Sequence, residues 1–397
     1  MMVKRFYSRF GDKIAILHSN LSLGERYDEW RRIKSGEAEI VIGARSAIFA
    51  PVRDLGLIII DEEHENSYKQ GDYPYYNAKR VAYIRGIISK ASVVLGSATP
   101  TIESRYFAEK GYFNYLSLPE RIHSRSLPPI EIIDMRDELK NGNTSIFSQS
   151  LRDEIDSALT RGEQVLLFLN KRGYSSFLLC RECGHVIRCN NCDISLTYHS
   201  SEDILKCHYC DFKKQVPGIC PECNSEYIKN FGIGTEKIEE IVKKEFSDST
   251  VERMDVDTTT RKGAHRKILK RIENGEVDIL IGTQMVAKGH DYPNISVVGV
   301  ITADTILNLP DFRSSERTFQ LLTQVAGRTG RGEKQGKVVI QTYSPDHYSI
   351  KTAKNHDYNS FYNYEIKLRN ELNYPPYTYF LNIIVKGLKE DMVIEEA

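Results

Sequence analysis

Short apolar runs alternate with amphipathic or polar stretches along most of this chain, the pattern of a parallel sheet covered by helices. Two sheets are predicted. The first draws strands from residues 13–18, 39–43, 55–60 and 92–95, with helices over 23–34 and 78–88 between them. The second draws strands from 130–133, 164–169, 251–254, 278–281, 296–302 and 337–342. Between them, 110–129 ends in Leu127-Pro128-Pro129 and reads as an interlobe linker. From 348 to 397 the sequence turns Tyr- and Asn-rich, with an apolar run at 381–385, as if a third domain were opening. A chain of 397 residues is longer than one core usually covers.

One segment breaks the pattern. All eight cysteines fall between Cys180 and Cys223, as four Cys-x-x-Cys hooks: Cys180/Cys183, Cys189/Cys192, Cys207/Cys210 and Cys220/Cys223. Each hook puts two thiolates on one tight turn, and a tetrahedral zinc ion takes two such turns, so four hooks predict two structural Cys₄ sites. With every ligand a thiolate, no position is left for a reactive water. Disulfides fit poorly, because the charged stretch 1–11 has no apolar signal segment, and a redox hook would normally occur once. Spacing alone does not decide which hooks share an ion. His185, His199 and His208 lie nearby, but four hooks already fill two sites, so these are read as ordinary polar residues.

Charge and hydropathy narrow the partners. Lys+Arg and Asp+Glu both number 54, so the net charge is zero and any nucleic-acid contact must be local rather than a bulk coating. The apolar run 295–303 is too short to span a bilayer, which predicts no membrane partner and a reducing, cytoplasmic setting.

Candidate chemistry lies in loops at the carboxyl ends of strands, where open parallel sheets bind ligands. The apolar strand around 57–60 runs straight into Asp61-Glu62-Glu63-His64. In P-loop nucleotide hydrolases an Asp so placed holds Mg²⁺ and an adjacent Glu can orient the attacking water, the roles expected of Asp61 and Glu62. GARSAIF (43–49) ends the preceding strand and GSATP (96–100) the following one. In the second sheet, GTQMVAKGHD follows the strand ending at 281, and QVAGRTGRG occupies 324–332. Two arginines three residues apart, Arg328 and Arg331, can neutralise charge developing on a γ-phosphate. Glu63, His64, Gln324 and Gly289 are expected to help bind the nucleotide. After the acidic box, Tyr68, Lys69, Gln70, Tyr73, Tyr75 and Tyr76 form an aromatic polar loop of the kind on which single-stranded bases stack, and Arg45 is a further candidate for nucleic-acid contact.

In order, GARSAIF, DEEH, GSATP, FLNKRGYSS, GTQMVAKGHDYPN and QVAGRTGRG resemble the motifs of a superfamily 2 helicase. The cysteine hooks just after FLNKRGYSS narrow the resemblance to the PriA family of primosomal replication-restart helicases, and it covers nearly the whole chain. It implies two RecA-like lobes, the first incomplete, a two-zinc module inserted in the second, and a partial C-terminal α+β domain. The corresponding boundaries are 1–118 for lobe 1, 119–179 with 229–345 for lobe 2, 180–228 for the zinc module, and 346–397 for the last domain. The resemblance further implies 3′-to-5′ DNA unwinding driven by ATP and Mg²⁺ at stalled forks. Implied partners are forked and single-stranded DNA, other primosome and replication-restart proteins, and single-stranded DNA-binding protein. It also implies nested zinc ligation: Cys180, Cys183, Cys220 and Cys223 on one ion, Cys189, Cys192, Cys207 and Cys210 on the other.

One expected element is missing from the sequence. No G-x-x-x-x-G-K-[ST] phosphate loop occurs, and the nearest string, 332–338, has the wrong spacing and no Ser or Thr. The chain is therefore expected to begin inside the first lobe, to lack the family's N-terminal DNA-binding region and to hydrolyse ATP negligibly alone. The competing reading is a non-catalytic, zinc-bearing scaffold that docks primosome proteins. A nuclease built on Asp61, Glu62 and Glu63 is disfavoured, since two-metal sites usually draw carboxylates from several strands.

Overall fold

The computed structural model describes residues 2–18, 21–118, 127–170, 177–200, 202–231, 234–255, 257–259, 263–283, 286, 292, 294–329, 336–381, 387 and 393–394. The chain divides into two compact units, Met1–Arg105 and Tyr106–Ala397.

The first unit runs α1 (Met2–Phe10), β1 (Ile14–Leu17), α2 (Leu23–Ser35), β2 (Ile40–Gly43), β3 (Leu57–Ile60), α3 (Ala78–Ser89) and β4 (Ser92–Leu95), with α4 (Ile102–Glu109) crossing its boundary. Local signals set the helix ends. Ser22 and Glu25 form a reciprocal capping box at the start of α2, and Gly36 closes it in the left-handed conformation. The four predicted strands all form, but not as one sheet: β1 pairs with β2 and β3 with β4, both parallel, as two separate ladders among the described residues. Residues along β3 alternate exposed and buried, so Ile58 and Ile60 pack with Ala82 of α3 while Leu57 and Ile59 face outward. Only one face of this ladder is covered within the unit, which is why its strands expose apolar side chains that a parallel sheet normally buries on both faces.

The second unit is built on β5 (Ile130–Asp134), β6 (Gln164–Phe168), β12 (Val251–Met254), β13 (Ile279–Gly282), β14 (Ile295–Val300) and β15 (Lys337–Thr342). These six form a single parallel sheet in the order β12-β13-β6-β14-β15-β5. Every residue of β6, β13 and β14 is buried, as continuous apolar runs such as Val165 to Phe168 require. Helices α5 (Met135–Lys140), α6 (Gln149–Thr160), α7 (Thr235–Glu245), α8 (Ala264–Glu273), α9 (Asp304–Leu307) and α10 (Ser314–Ala326) connect or flank the strands. On one face Leu151 and Ile155 of α6 and Ile238 and Val242 of α7 pack on the sheet. Gly299 lets α6 come close, because a Cβ there would lie 2.7 Å from Leu151 Cδ1. The Gln341 amide satisfies buried main chain from three directions, accepting from Ser148 N–H and donating to the carbonyls of Ile146 and Ile301.

The cysteine-rich segment rises from this sheet on β7 (Phe177–Cys180) and β11 (Ile228–Phe231), an antiparallel pair, and contains the small antiparallel sheet β8 (Thr197–His199), β9 (Ile204–Lys206) and β10 (Lys213–Gln215). After β15, α11 (Tyr348–Lys354) and α12 (Tyr358–Glu371) fold back onto α10. Phe319 stacks on Phe361 at 4.4 Å, and the fully buried Arg369 bonds both Glu365 (2.8 Å) and Glu316 (2.6 Å). Residues 348–371 are therefore packed as part of the lobe that carries α10. Of the apolar run 381–385, only Leu381 lies within the described residues.

Candidate metal centres and motor loops

Each cysteine hook is the same turn. Gly184, Asp193, Asp211 and Asn224, the residues directly after the second cysteine, donate their N–H groups to the carbonyls of Cys180, Cys189, Cys207 and Cys220 at 2.8 to 3.0 Å. All four have positive φ, between 50° and 81°. Glycine, Asp and Asn are the residues that tolerate this left-handed conformation, so the signal for the turn was present in the sequence beside every hook.

Folding brings the hooks together in two groups: Cys180, Cys183, Cys220 and Cys223, and Cys189, Cys192, Cys207 and Cys210. Sγ atoms lie 3.7 Å apart for Cys180–Cys223, 3.6 Å for Cys183–Cys220 and 3.5 Å for Cys189–Cys210. A disulfide would need about 2.05 Å. A tetrahedron with Zn–S bonds of about 2.3 Å has edges near 3.8 Å, so the spacing fits a shared zinc ion. Both are structural Cys₄ zinc sites in the nested arrangement, and no histidine joins either cluster among the described residues. Burial holds the Cys183 and Cys192 thiols far above their usual range, while the Phe212 N–H draws Cys210 down to about 7. A divalent cation is what makes four adjacent thiolates tolerable.

The first site is tied to the sheet directly. Arg181 Nε donates to Tyr343 Oη at 3.0 Å, and Arg136 to the Cys183 carbonyl at 3.4 Å. Gly184 abuts the Tyr343 carbonyl so closely that a Cβ would meet it at 2.3 Å. Tyr343 N–H in turn donates to buried Asp304, joining the ends of β15 and β14. Phe177, Leu179 and Tyr343 share one apolar cluster beneath.

In the six-stranded sheet the chain leaves β6 toward β12 on one side and leaves neighbouring β14 toward β15 on the other, so the carboxyl ends of β6 and β14 border the crevice where such sheets take ligands. FLNKRGYSS begins at the end of β6 and GTQMVAKGHDYPN at the end of β13, and residues 171–176, 284–285, 287–291 and 293 of these motifs lie outside the described residues. Gln324 is half-buried on α10, and Arg328, one residue beyond its cap, is buried beside Tyr292, whose phenol burial raises to about 12 while Arg328 draws it down. Arg331 and Gly289 lie outside the described residues.

In the first unit the acidic box sits where β3 ends. Asp61 is exposed, and Glu62 adopts a left-handed conformation (φ 48°) uncommon for a residue with a side chain. His64 Nδ1 is 2.7 Å from Ser97 Oγ of GSATP and 3.5 Å from the Glu62 carboxylate. Ser97 Oγ also accepts from Thr99 N–H, and Glu63 N–H donates to the Gly96 carbonyl at 2.9 Å, so the loops after β3 and β4 are directly hydrogen-bonded. Glu63 is buried and fully engaged: it accepts from Lys79 Nζ (2.6 Å), Thr101 N–H (2.6 Å) and Ser104 Oγ (3.0 Å). It braces the box against α3 and α4, a role the sequence reading missed.

Arg45 is likewise engaged within the protein. It donates to the carbonyls of Ser67 (2.8 Å) and Lys69 (3.1 Å) and to Gln70 Oε1 (2.7 Å), and lies over the Tyr76 ring. Tyr68 donates its hydroxyl to the Asp61 carbonyl at 2.7 Å, linking the aromatic loop to the acidic box. Lys69 bridges Asn77 and Gln70 N–H donates to Tyr76, closing the loop at its base. Tyr73 and Tyr75 stand at its tip, 87 % and 74 % exposed, with their rings available to a partner.

A six-stranded parallel sheet with an inserted two-zinc module is the arrangement of a helicase-type C-terminal lobe. Comparison with known proteins agrees: residues 225–333 match the helicase conserved C-terminal domain, and residues 189–214 match the PriA DNA helicase Cys-rich region. The chain is 56 % identical to the replication restart protein PriA of Bacillus subtilis over 97 % of its length and 48 % identical to that of Synechocystis over 98 %. Over this shared stretch the chain belongs to the PriA family of replication restart proteins. It spans about half the length of the curated relatives it matches, 48 % in both cases. Among solved structures it is similar to RecG bound to a three-way DNA junction, with 16 % identity, a TM-score of 0.45 and coverage of 93 % of this chain and 40 % of that one, too loose a likeness to bear on function. No helix among the described residues is long and apolar enough to cross a membrane.

Proposed function

We propose that this chain supplies helicase lobe 2 with its zinc module, together with the acidic-box part of lobe 1, of an ATP-dependent 3′-to-5′ DNA helicase that restarts replication at stalled forks. Asp61 holds Mg²⁺, Glu62 orients the attacking water, and Arg328 and Arg331 neutralise charge on the γ-phosphate, with His64, Gln324 and Gly289 completing the nucleotide contacts. The observation that carries this reading is the junction of the acidic box with GSATP through His64 and Ser97, beside a Glu62 held in an uncommon backbone conformation. That junction can pass the state of a bound nucleotide between two loops.

Tyr73 and Tyr75 offer stacking faces for single-stranded DNA, and Tyr68 couples their loop to Asp61. Arg45 and Lys69 act here by holding the loop. The setting is cytoplasmic, and other restart proteins and single-stranded DNA-binding protein are the partners. Since the sequence contains no phosphate loop, the isolated chain hydrolyses ATP negligibly.

In the complete protein, Glu62→Gln and Arg328→Ala are each expected to lower DNA-stimulated ATP hydrolysis by roughly a thousandfold while two zinc ions stay bound. Full hydrolysis in both variants, or zinc-dependent partner docking with no ATP turnover in the wild type, would replace the motor with the scaffold reading.

A further inference from the structure

The second zinc site shares one apolar cluster with the first, and the lobe also reaches it directly. Tyr374, buried just beyond α12, donates its hydroxyl to the Cys192 carbonyl at 2.6 Å. The Phe312 N–H donates to Tyr209 Oη at 3.4 Å, and Tyr209 sits inside the Cys207/Cys210 hook. One contact therefore falls on each hook of this site. Between them Phe312 stacks on Tyr374, with centroids 4.8 Å apart and planes at 12°, and Phe380 meets both rings edge-on. The guanidiniums of Arg313 and Arg369 lie 4.1 and 5.0 Å from the Phe312 ring centroid.

Around these contacts the interface is open. A cavity of about 320 Å³, bordered by Arg188, Asp193, Phe312, Arg369 and Tyr374, separates the module from the lobe beside them. The grip is thus concentrated in a few side chains. Phe312 lies two residues before α10, the helix on which Gln324 lies and beyond whose end Arg328 follows, and Arg369 fixes the same helix through Glu316.

We infer that Phe312 and Tyr374 form a latch through which the lobe holds the second zinc site, and through which that site steadies helix α10. They are positioning residues: neither is a zinc ligand, and both act through the hook backbone and ring they touch. Outer-shell partners of metal ligands typically govern affinity by about ten- to a hundredfold.

Zinc release from the purified chain to a chromophoric chelator tests the latch. Phe312→Ala should bind two zinc ions per chain but release one of them on the order of tenfold faster. The acceleration should persist with Cys220→Ser, which leaves only the second site, and vanish with Cys210→Ser, which leaves only the first. Amide exchange across Ser314–Ala326 should rise in parallel. Tyr374→Phe removes a single hydroxyl and should give a smaller acceleration of the same site, which decides the matter if Phe312→Ala fails to fold. Unchanged release in the folded variants, or acceleration confined to the first site, overturns the inference.

Discussion

The two zinc sites share one local design and differ in how the protein holds them. In both, a left-handed residue after each hook points its N–H back at the first cysteine's carbonyl. The first site grows out of the lobe, continuous with β7 and β11 and pressed against Tyr343 at the end of β15. The second shares the module's apolar cluster with the first and is held besides by rings and hydrogen bonds from residues 312 and 374. Ligand geometry is thus a property of a few consecutive residues. Placement of the site in the molecule belongs to tertiary structure.

Two substitutions sharpen this contrast, one on each side. Arg369→Met should have the larger effect, about 3–5 kcal/mol of stability, because Glu316 and Glu365 would stay buried without their shared cation. Denaturant unfolding reads the loss, and zinc release should quicken at the second site only. A loss under about 1 kcal/mol would show that the triad does not anchor α10. Gly184→Ala should cost about 2 kcal/mol, since a side chain there meets both a positive φ and the Tyr343 carbonyl. Here the faster zinc release should be confined to the first site. Equal effects on both sites would erase the distinction drawn between them.

How much of this was legible in the sequence follows the same division. Continuous apolar runs such as Ile279 to Ile281 announced buried parallel strands, and all six predicted strands of the larger sheet form one sheet. In the first unit the strands were legible but their pairing was not: a four-residue apolar run carries no record of its neighbours, and among the described residues the expected single sheet is two ladders. The hooks announced zinc, whereas spacing left their grouping open until folding brought Cys180 beside Cys223. The bracing roles of Glu63 and Arg45 were not legible, because their partners, Thr101 and Gln70 among them, are 38 and 25 residues away and leave no local trace. Phe312 and Tyr374 gave no signal for the same reason, the Tyr374 contact with Cys192 spanning 182 residues.

Zinc counting in two double variants tests the nested arrangement most directly. With Cys180→Ser and Cys223→Ser together, only the first site is broken, and the purified chain should retain one zinc ion. With Cys180→Ser and Cys189→Ser, each site loses a ligand and both ions should be lost. If instead the first pair empties the protein and the second pair leaves one ion, neighbouring hooks share a metal, and the account of two separately anchored sites is wrong.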